Sequence, residues 1–193
     1  MADRLILASA SLGRRDLLAQ VGLEPHKVVP ADINETAIPG EPPRRFASRL
    51  AEAKGRAVAS IYKDDFVLAA DTVVACGRRI LDKPSTRSQA SGHLNLLSGR
   101  RHRVFTGVTL VSPCGSVNSF SVMTQVIFKR LHPSELSSYL ESGEWQDKAG
   151  GYAIQGKAGG FIKRINGSYS NVIGLPLCET LALINGFGLR SKY

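Results

Sequence analysis

The chain has 193 residues, of which 43% are hydrophobic and 21% charged, proportions that are ordinary for a globular protein. A chain of this length buries on the order of 70% of its unfolded surface, enough for one large domain or for two lobes around a cleft. No apolar run approaches the roughly 20 residues that span a bilayer, and the N-terminal segment MADRLILASAS is too short and too acidic for a signal peptide. These features exclude a membrane protein and predict a cytoplasmic one.

The net charge of +9 at pH 7 predicts a polyanionic partner. Lys and Arg are scattered along the chain, and aromatic residues make up only 7% of it. Nucleic-acid-binding proteins usually concentrate basic residues on one helix or tail and interleave them with aromatics, so a small phosphorylated substrate explains the charge at least as well. The three cysteines are odd in number and widely spaced, which excludes a disulfide framework and a cysteine metal site.

The first half of the chain predicts strands that alternate with helices. A short buried strand at 4–9 leads to a helix capped by Ser11, and a second strand at 26–32 runs into a loop rich in Pro and Gly. A proline pair then opens a long helix at 44–62, since proline in the first turn costs no hydrogen bond. The packing face of this helix is predicted at Phe46, Leu50, Ala53, Ala57 and Ile61.

The second half predicts longer strands and a glycine-rich segment. A strand at 65–76 turns through a hairpin into 80–84, a helix follows at 86–99, and two long strands lie on either side of the turn PCGS. A short helix, the glycine-rich segment 144–160, a further strand and a Leu-rich helix complete the chain. This mixture predicts an α/β or α+β fold around one sheet and leaves a division into two lobes open.

The segment LASASLGRRDLL combines a strand, a turn of small residues and the start of a helix. A helix N-terminus offers unpaired N–H groups, to which Ser9 and Ser11 add hydroxyl donors. Arg14 and Arg15 supply fixed positive charge that suits a phosphate. An N-capped helix with solvated arginines explains these residues equally well, so both interpretations stay open.

The apolar run FVLAAD ends in Asp71, where burying a carboxylate without a partner would be costly. In α/β proteins, strand ends that face a cleft carry catalytic groups. Lys83 returns through the hairpin and Lys54 lies on the preceding helix, so the group would contain both signs of charge. Carboxylates here, with Glu35 from the loop, suit a Mg²⁺-like ion or the activation of water, while the lysines suit phosphate oxygens. The alternative is a structural ion pair.

The segment 147–176 is unusually rich in glycine, which lets a backbone approach a ligand closely. Gln155 carries an amide that can read a base edge. The alternative is a structural loop, although loops of this length inside compact domains are more often functional. The dispersed histidines lack zinc-ligand spacing, and no P-loop sequence is present.

Together these segments resemble the Maf family of nucleotide pyrophosphatases, also called septum-formation-inhibitor-like proteins. The matching segments are LASAS…RRDLL, AD…NET…PGE…LAEAK, AADTVV…ILDKP, LSGRRHRVFTGV, DKAGGYAIQG and INGSYSNVIGLPL, and they cover nearly the whole chain in family order. The wording GGYAIQG and GSYSNVIGLPL is similar to the subgroup that acts on dTTP and UTP. The family usually reads Ser-x-Ser-Pro-Arg-Arg, so Leu12 and Gly13 stand where Pro and the first Arg are expected, and Arg14 matches the second Arg.

The resemblance implies a single domain over residues 1–193, an α/β fold with a mixed sheet and two lobes around a central cleft, similar to inosine triphosphate pyrophosphatases. It implies hydrolysis of a nucleoside triphosphate to the monophosphate and pyrophosphate, a divalent cation (Mg²⁺, Mn²⁺ or Co²⁺) and a homodimer. Asp71 matches the family's general base, Lys54 and Lys83 match its phosphate- or water-contacting lysines, and Glu35 with Asp71 would face the metal. The implied substrate-binding positions are Ser9, Ser11, Gly13, Arg14, Arg15, Thr72 and Gln155.

The leading hypothesis is therefore a metal-dependent dTTP and UTP pyrophosphatase, and it extends to modified pyrimidine triphosphates. One alternative is the same reaction on 7-methyl-GTP or another purine nucleotide. A second alternative is a non-catalytic nucleic-acid-binding or division-regulating protein, which would bind long polyanions with a strong dependence on salt. The combination of Asp71, Lys54, Lys83 and Gln155 is hard to explain in a protein without turnover.

Overall fold

The computed structural model describes residues 4–189. One mixed sheet contains the strands β1 (Leu5–Leu7), β2 (Lys27–Val28), β3 (Phe66–Cys76), β4 (Arg79–Leu81), β5 (Arg101–Val111), β6 (Val117–Phe128) and β7 (Ile162–Asn166). The helices are α1 (Leu12–Gln20), α2 (Pro43–Ala59), α3 (Arg87–Leu97), α4 (Pro133–Glu141), α5 (Tyr169–Ile173) and α6 (Leu177–Gly186). The glycine-rich segment forms two short 3₁₀ turns, Ala149–Gly151 and Lys157–Phe161. None of the helices between residues 4 and 189 is long and apolar enough to cross a membrane.

The sheet has the order β2-β1-β3-β5-β6-β7, and β4 pairs with β3 outside this path. β1 runs parallel to β2 and β3, and every other pairing is antiparallel. This confirms the predicted α/β fold around one mixed sheet.

One edge of β3 carries a gap between two different partners. The pairing with β1 ends at Leu68, and the pairing with β4 begins at Val74. Between these residues that edge has no strand partner in the described part of the chain, whereas the opposite edge pairs with β5 throughout. A break between partner strands leaves room for a cleft at the edge of the sheet.

Asp71 lies in this gap, directly opposite Gly107 of β5. The strand predicted at 65–76 is confirmed as β3. The end of the apolar run FVLAAD suggested a strand end at Asp71, and this was wrong, because β3 continues for five residues beyond it as part of an 11-residue strand. What ends beside Asp71 is the neighbouring strand β1, so the carboxylate still faces a space that no strand fills.

The helix α2 covers the face of the sheet that carries Asp71. Of the packing face predicted from sequence, only Leu50 is buried, and Ile61 is 72% exposed. The buried face consists of smaller residues on average: Ala47, Leu50, Ala51, Gly55 and Val58. The helix packs this closely because β5 carries a glycine, Gly107, at which a Cβ would lie 2.5 Å from the carbonyl oxygen of Ala47.

Two apolar clusters cover the opposite face of the sheet, because side chains alternate along a strand. One cluster joins α1 and α6 to β1 and to Phe66, Leu68 and Ala70 of β3. The other joins α3, α4 and the glycine-rich segment to Val74 of β3. We call these the α1–α6 lobe and the α3–α4 lobe, and Ile173 packs against both.

Candidate active site

A cleft of about 480 Å³ opens at the gap in β3, between the start of α1 and the glycine-rich segment. It is lined by all but one of the residues predicted from the sequence: Ser9, Ser11, Gly13, Arg14, Glu35, Lys54, Asp71, Thr72, Lys83 and Gln155. The exception is Arg15, whose side chain is 56% exposed and lies 3.8 Å from a carboxylate oxygen of Asp16. The fold therefore gathers residues from six separate parts of the chain in one place.

The lysine of α2 lies between two carboxylates in the cleft. Nζ of Lys54 is 2.7 Å from Oδ1 of Asp71 and 2.9 Å from Oε1 of Glu35. The side chains of Lys54 and Asp71 are 12% and 11% exposed, whereas Glu35, on the loop before α2, is 48% exposed. The group combines a desolvated ion pair with a carboxylate that faces solvent.

Burial raises the pKa of Asp71, and this is the largest influence on it. The charge and hydrogen bond of Lys54, and the charge of Arg14, act in the opposite direction, while the charge of Glu35 raises the pKa further. Only Oδ1 of Asp71 accepts a hydrogen bond from the described residues, so Oδ2 is available to a ligand or a water. A carboxylate with a raised pKa and a free oxygen is suited to general base catalysis.

Arg14 is buried and ties three parts of the site together. Its Nη1 donates to Oγ of Ser9 (2.8 Å), its Nε to the carbonyl oxygen of Gly174 (2.8 Å), and its Nη2 to Oγ1 of Thr72 (3.0 Å). A guanidinium has five N–H groups, so two remain for a ligand. Ser11 caps α1 as predicted, because its Oγ accepts a hydrogen bond from the N–H of Arg14 (3.4 Å). Both features predicted for this segment are thus present: the helix α1 is capped by Ser11, and the guanidinium of Arg14 lines the cleft.

Gly13, in the first turn of α1, allows the helix to lie close to Ile173 and Gln155 on the other side of the cleft. A Cβ at Gly13 would lie 3.0 Å from Cγ2 of Ile173 and 3.5 Å from Nε2 of Gln155. An arginine, which the resemblance leads one to expect here, would need to direct its side chain past both groups. The α1 helix and the amide of Gln155 are therefore neighbours across the cleft.

The glycine-rich segment packs on β3 and reaches the hairpin that carries Lys83. Gly150 has a φ of 71°, and a Cβ there would lie 2.9 Å from Cγ1 of Val74. Its N–H donates to the carbonyl oxygen of Asp82 (3.0 Å). Lys83 lines the cleft, and its ammonium group has no hydrogen-bond or ion-pair partner between residues 4 and 189. That group is free to contact a ligand.

Three further polar residues line the cleft that were not predicted as site residues from the sequence: Asp147, Lys148 and Tyr152. Asp147 has a φ of 57°, a left-handed conformation that is uncommon outside glycine and that clusters at functional sites. The sequence signal for these residues was the charged pair at the start of DKAGG, one residue before the glycines.

A divalent cation fits this group only with help from a substrate. Between residues 4 and 189 no three His, Cys, Asp or Glu side chains are arranged to hold a metal ion. Mg²⁺ is commonly bound by one or two carboxylates together with substrate phosphates. Glu35 and Asp71 are two such carboxylates on either side of one ammonium group, so they suit an ion that arrives with a triphosphate.

The chain is similar to known proteins over nearly its whole length. A dTTP/UTP pyrophosphatase of Caulobacter vibrioides is 56% identical over 186 residues, which are 96% of this chain and 96% of that protein. A dTTP/UTP pyrophosphatase of Paramagnetospirillum magneticum is 54% identical over 184 residues, 95% of this chain and 97% of that protein. Among solved structures, a HAM1 protein from Coxiella burnetii overlaps 68% of this chain and 75% of its own, with 15% identity and a TM-score of 0.45, from which no functional conclusion follows. The family model described as Maf-like protein matches residues 4–187, and the chain belongs to the Maf-like protein family.

Proposed function

We propose that this protein hydrolyses dTTP and UTP, and modified pyrimidine triphosphates of the same shape, to the monophosphate and pyrophosphate. The observation that carries the proposal is the buried pair of Lys54 and Asp71, joined by Glu35, in a cleft that also contains Gln155. The names of the similar proteins, dTTP/UTP pyrophosphatase, support both the reaction and the pyrimidine base.

In the proposed mechanism Asp71 is the general base. Lys54 holds Oδ1 at 2.7 Å, which fixes the carboxylate and leaves Oδ2 to take a proton from the attacking water. The water attacks the α-phosphorus, and the bond from that phosphorus to the bridging oxygen breaks. The ammonium group of Lys83 stabilises the negative charge that develops on the departing pyrophosphate.

Glu35 would hold the divalent cation together with phosphate oxygens of the substrate, and the charge of Asp71 would face that ion while its Oδ2 stays free for the proton; Mg²⁺, Mn²⁺ and Co²⁺ all suit oxygen ligands. When bound, such an ion neutralises phosphate charge and polarises the phosphoryl group. The start of α1, with the hydroxyl groups of Ser9 and Ser11 and two unused N–H groups of Arg14, would bind further phosphate oxygens. Arg15 lies outside the cleft and has no role in this proposal.

The base would lie at the end of the cleft formed by Gln155. Its amide offers a donor and an acceptor to the edge of a pyrimidine. Thr72 contributes indirectly, because its Oγ1 accepts a hydrogen bond from Arg14 and lies 3.0 Å from Oγ1 of Thr106. Nothing in the described residues favours 7-methyl-GTP or a purine, and Gln155→Glu should shift the ratio of pyrimidine to purine turnover.

The test is substitution of Asp71 with a matched control at the residue that precedes the same strand. Asp71→Asn keeps the shape and removes the base, so we expect turnover of dTTP and UTP to fall at least about a hundredfold, the usual scale of general base catalysis. Asp65→Asn is the control, because Asp65 is also a buried carboxylate, 2.7 Å from Nε of Arg4, but it lies outside the cleft. Wild-type protein with Mg²⁺ should release pyrophosphate and monophosphate from both nucleotides. Release of single orthophosphates, or full activity in folded Asp71→Asn protein, would overturn the proposal.

The proposal also covers the domain organisation, the location and the oligomeric state of the protein. We place residues 1–193 in a single domain, the reaction in the cytoplasm and the working form in a homodimer. Sedimentation equilibrium with the full chain would show a mass of about twice the 20.8 kDa of one chain if the dimer forms. A mass of one chain at micromolar concentration would contradict that part and leave the proposed reaction standing.

A further inference from the structure

We propose that His102 is a positioning residue: it fixes the segment that carries Gln155, through a hydrogen bond to Tyr152. This inference rests on the proposed function, because it assigns Gln155 to base recognition. His102 belongs to β5 and lies outside the residues that line the cleft. It is 1% exposed and has no place in the mechanism above.

The hydrogen bond joins two buried rings. Nε2 of His102 is 2.8 Å from the hydroxyl oxygen of Tyr152, and the two ring planes meet at 83° with their centroids 5.4 Å apart. The ring of Phe128 contacts both, at 5.0 Å from each centroid. The three rings form a compact group, which we call the aromatic anchor, inside the α3–α4 lobe.

From the aromatic anchor the chain leads directly into the cleft. Tyr152 is 5% exposed and lines the cleft, and so do the three residues that follow it, the last of which is Gln155. The N–H of Ala153 donates to the hydroxyl oxygen of the buried Tyr139 on α4 (3.1 Å). Gln155 thus follows the bond of Tyr152 to His102 by three residues and the bond of Ala153 to Tyr139 by two residues.

Glycines border this segment on both sides, where backbone hydrogen bonds hold it: the N–H of Gly150 donates to the carbonyl oxygen of Asp82 (3.0 Å), and the N–H of Gly156 donates to that of Ala153 (3.1 Å). Gly150 and Gly151 precede it with φ values of 71° and 74°, and Gly156 follows it. Glycine has the widest backbone freedom of any residue. Within the segment itself, the bonds of Tyr152 to His102 and of Ala153 to Tyr139, together with the burial of Ile154, fix it to the α3–α4 lobe.

His102 is a polar residue buried among apolar and aromatic side chains, which indicates that its hydrogen bond has a role. Burial lowers the pKa of its imidazole to about 4, so the ring is neutral and can share one hydrogen with the Tyr152 hydroxyl. Its other nitrogen, Nδ1, is buried without a hydrogen-bond partner among the described residues. An unpaired buried nitrogen is unfavourable, and a leucine here would avoid that cost. What the histidine provides, and a leucine would not, is the bond to Tyr152.

The test compares His102→Leu with His102→Gln. The leucine variant leaves the Tyr152 hydroxyl unpaired, whereas the glutamine amide reaches about as far as Nε2 and can keep the bond. For His102→Leu we expect KM for dTTP to rise about fivefold while kcat stays within about twofold, because base contacts of uniform strength affect KM alone. His102→Gln should keep KM near that of the wild type. Tyr152→Phe removes the bond from the other side and should raise KM as the leucine variant does.

A second measurement does not depend on turnover. In the free protein, hydrogen exchange of the amides of residues 152–155 should be faster in His102→Leu than in the wild type, and unchanged in His102→Gln. Phe128→Leu is the matched control, because it removes ring contacts from both partners and keeps their hydrogen bond. It should lower the melting temperature without the selective change in exchange or in KM.

The outcomes separate the two proposals. If wild-type protein turns over no pyrimidine triphosphate, the proposed function fails, and the exchange measurement alone decides the role of His102. The role of His102 is overturned if His102→Leu leaves both exchange and KM unchanged, if His102→Gln is as defective as His102→Leu, or if Phe128→Leu produces the same changes.

Discussion

Lys54 offsets the repulsion between two negative charges in the cleft, because its ammonium group contacts the carboxylates of both Glu35 and Asp71. Its side chain is largely buried, so its charge is poorly screened by water and acts strongly on Asp71. Two opposing effects act on Asp71: burial raises its pKa, and the ammonium group of Lys54 lowers it. The balance between them decides at which pH Asp71 can act as a base.

Removing this charge should therefore move the pH dependence of the reaction in a definite direction. A general base works only when deprotonated, so kcat/KM rises with pH through the pKa of Asp71. Lys54→Met removes the group that lowers this pKa, and the acid limb of the kcat/KM profile should move to higher pH. Lys54→Arg keeps the charge, and its limb should stay near that of the wild type. An acid limb at the wild-type position in Lys54→Met protein would mean that another group is the base.

The sequence allowed the reactive side chains of the site to be predicted better than the hydrogen-bond partners of those side chains. Asp71, Lys54, Lys83 and Gln155 stand out by residue type and all reach the cleft. The hydrogen bonds of Arg14 could not be foreseen, since two of its acceptors, Thr72 and Gly174, lie 58 and 160 residues away in the chain. Arg15 shows the converse limit, because adjacent residues of a helix point in different directions and only one of the two arginines can enter the cleft.

At the level of elements, the helix α2 and the strand β5 determine where Lys54 lies. The periodicity of apolar residues predicted α2 correctly but placed its buried face wrongly, because such a pattern is read mainly from the large apolar side chains. The packing of α2 on the sheet instead rests on small ones: Gly107 faces the backbone of Ala47, and Gly55 lies against Thr109 and Val111. A sequence pattern does not show which two glycines will meet another element, since that depends on tertiary packing.

Gly107→Ala should separate these two elements and displace Lys54 from Asp71. The new Cβ would lie 2.5 Å from a carbonyl oxygen, so backbone must move, and overpacking of this kind costs about 1–3 kcal/mol. We expect a lower melting temperature and a larger fractional loss of kcat than of substrate affinity.

The control for this prediction is Gly92→Ala, in the middle of α3. Apart from its chain neighbours and the backbone of α3 itself, nothing lies within 4 Å of a Cβ at Gly92, so alanine should stabilise the helix by about 0.5–1 kcal/mol. Turnover of dTTP should be unchanged in this variant. If Gly107→Ala is as stable and as active as Gly92→Ala, then α2 is not held at the distance on which the site depends.

At the level of the whole molecule, the net charge of +9 acts on any anion that approaches. The charge comes from 25 Lys and Arg against 16 Asp and Glu. A basic surface could serve a nucleic acid, and the sequence alone left that alternative open. The cleft of about 480 Å³ offers a more specific use, because its volume is that of a small-molecule site.

Salt should distinguish a charged surface that guides a small substrate from one that binds a polymer. The Debye length is about 10 Å at 0.1 M salt and about 3 Å at 1 M, so long-range attraction of a triphosphate fades over this range. We expect kcat/KM for UTP to fall severalfold as KCl rises at fixed free Mg²⁺, mainly through KM. Single-stranded DNA at an equal concentration of phosphate should inhibit UTP turnover only weakly, because the cleft has the volume of one small molecule. Strong inhibition that disappears along a steep logarithmic salt slope would instead indicate polymer binding across the cleft.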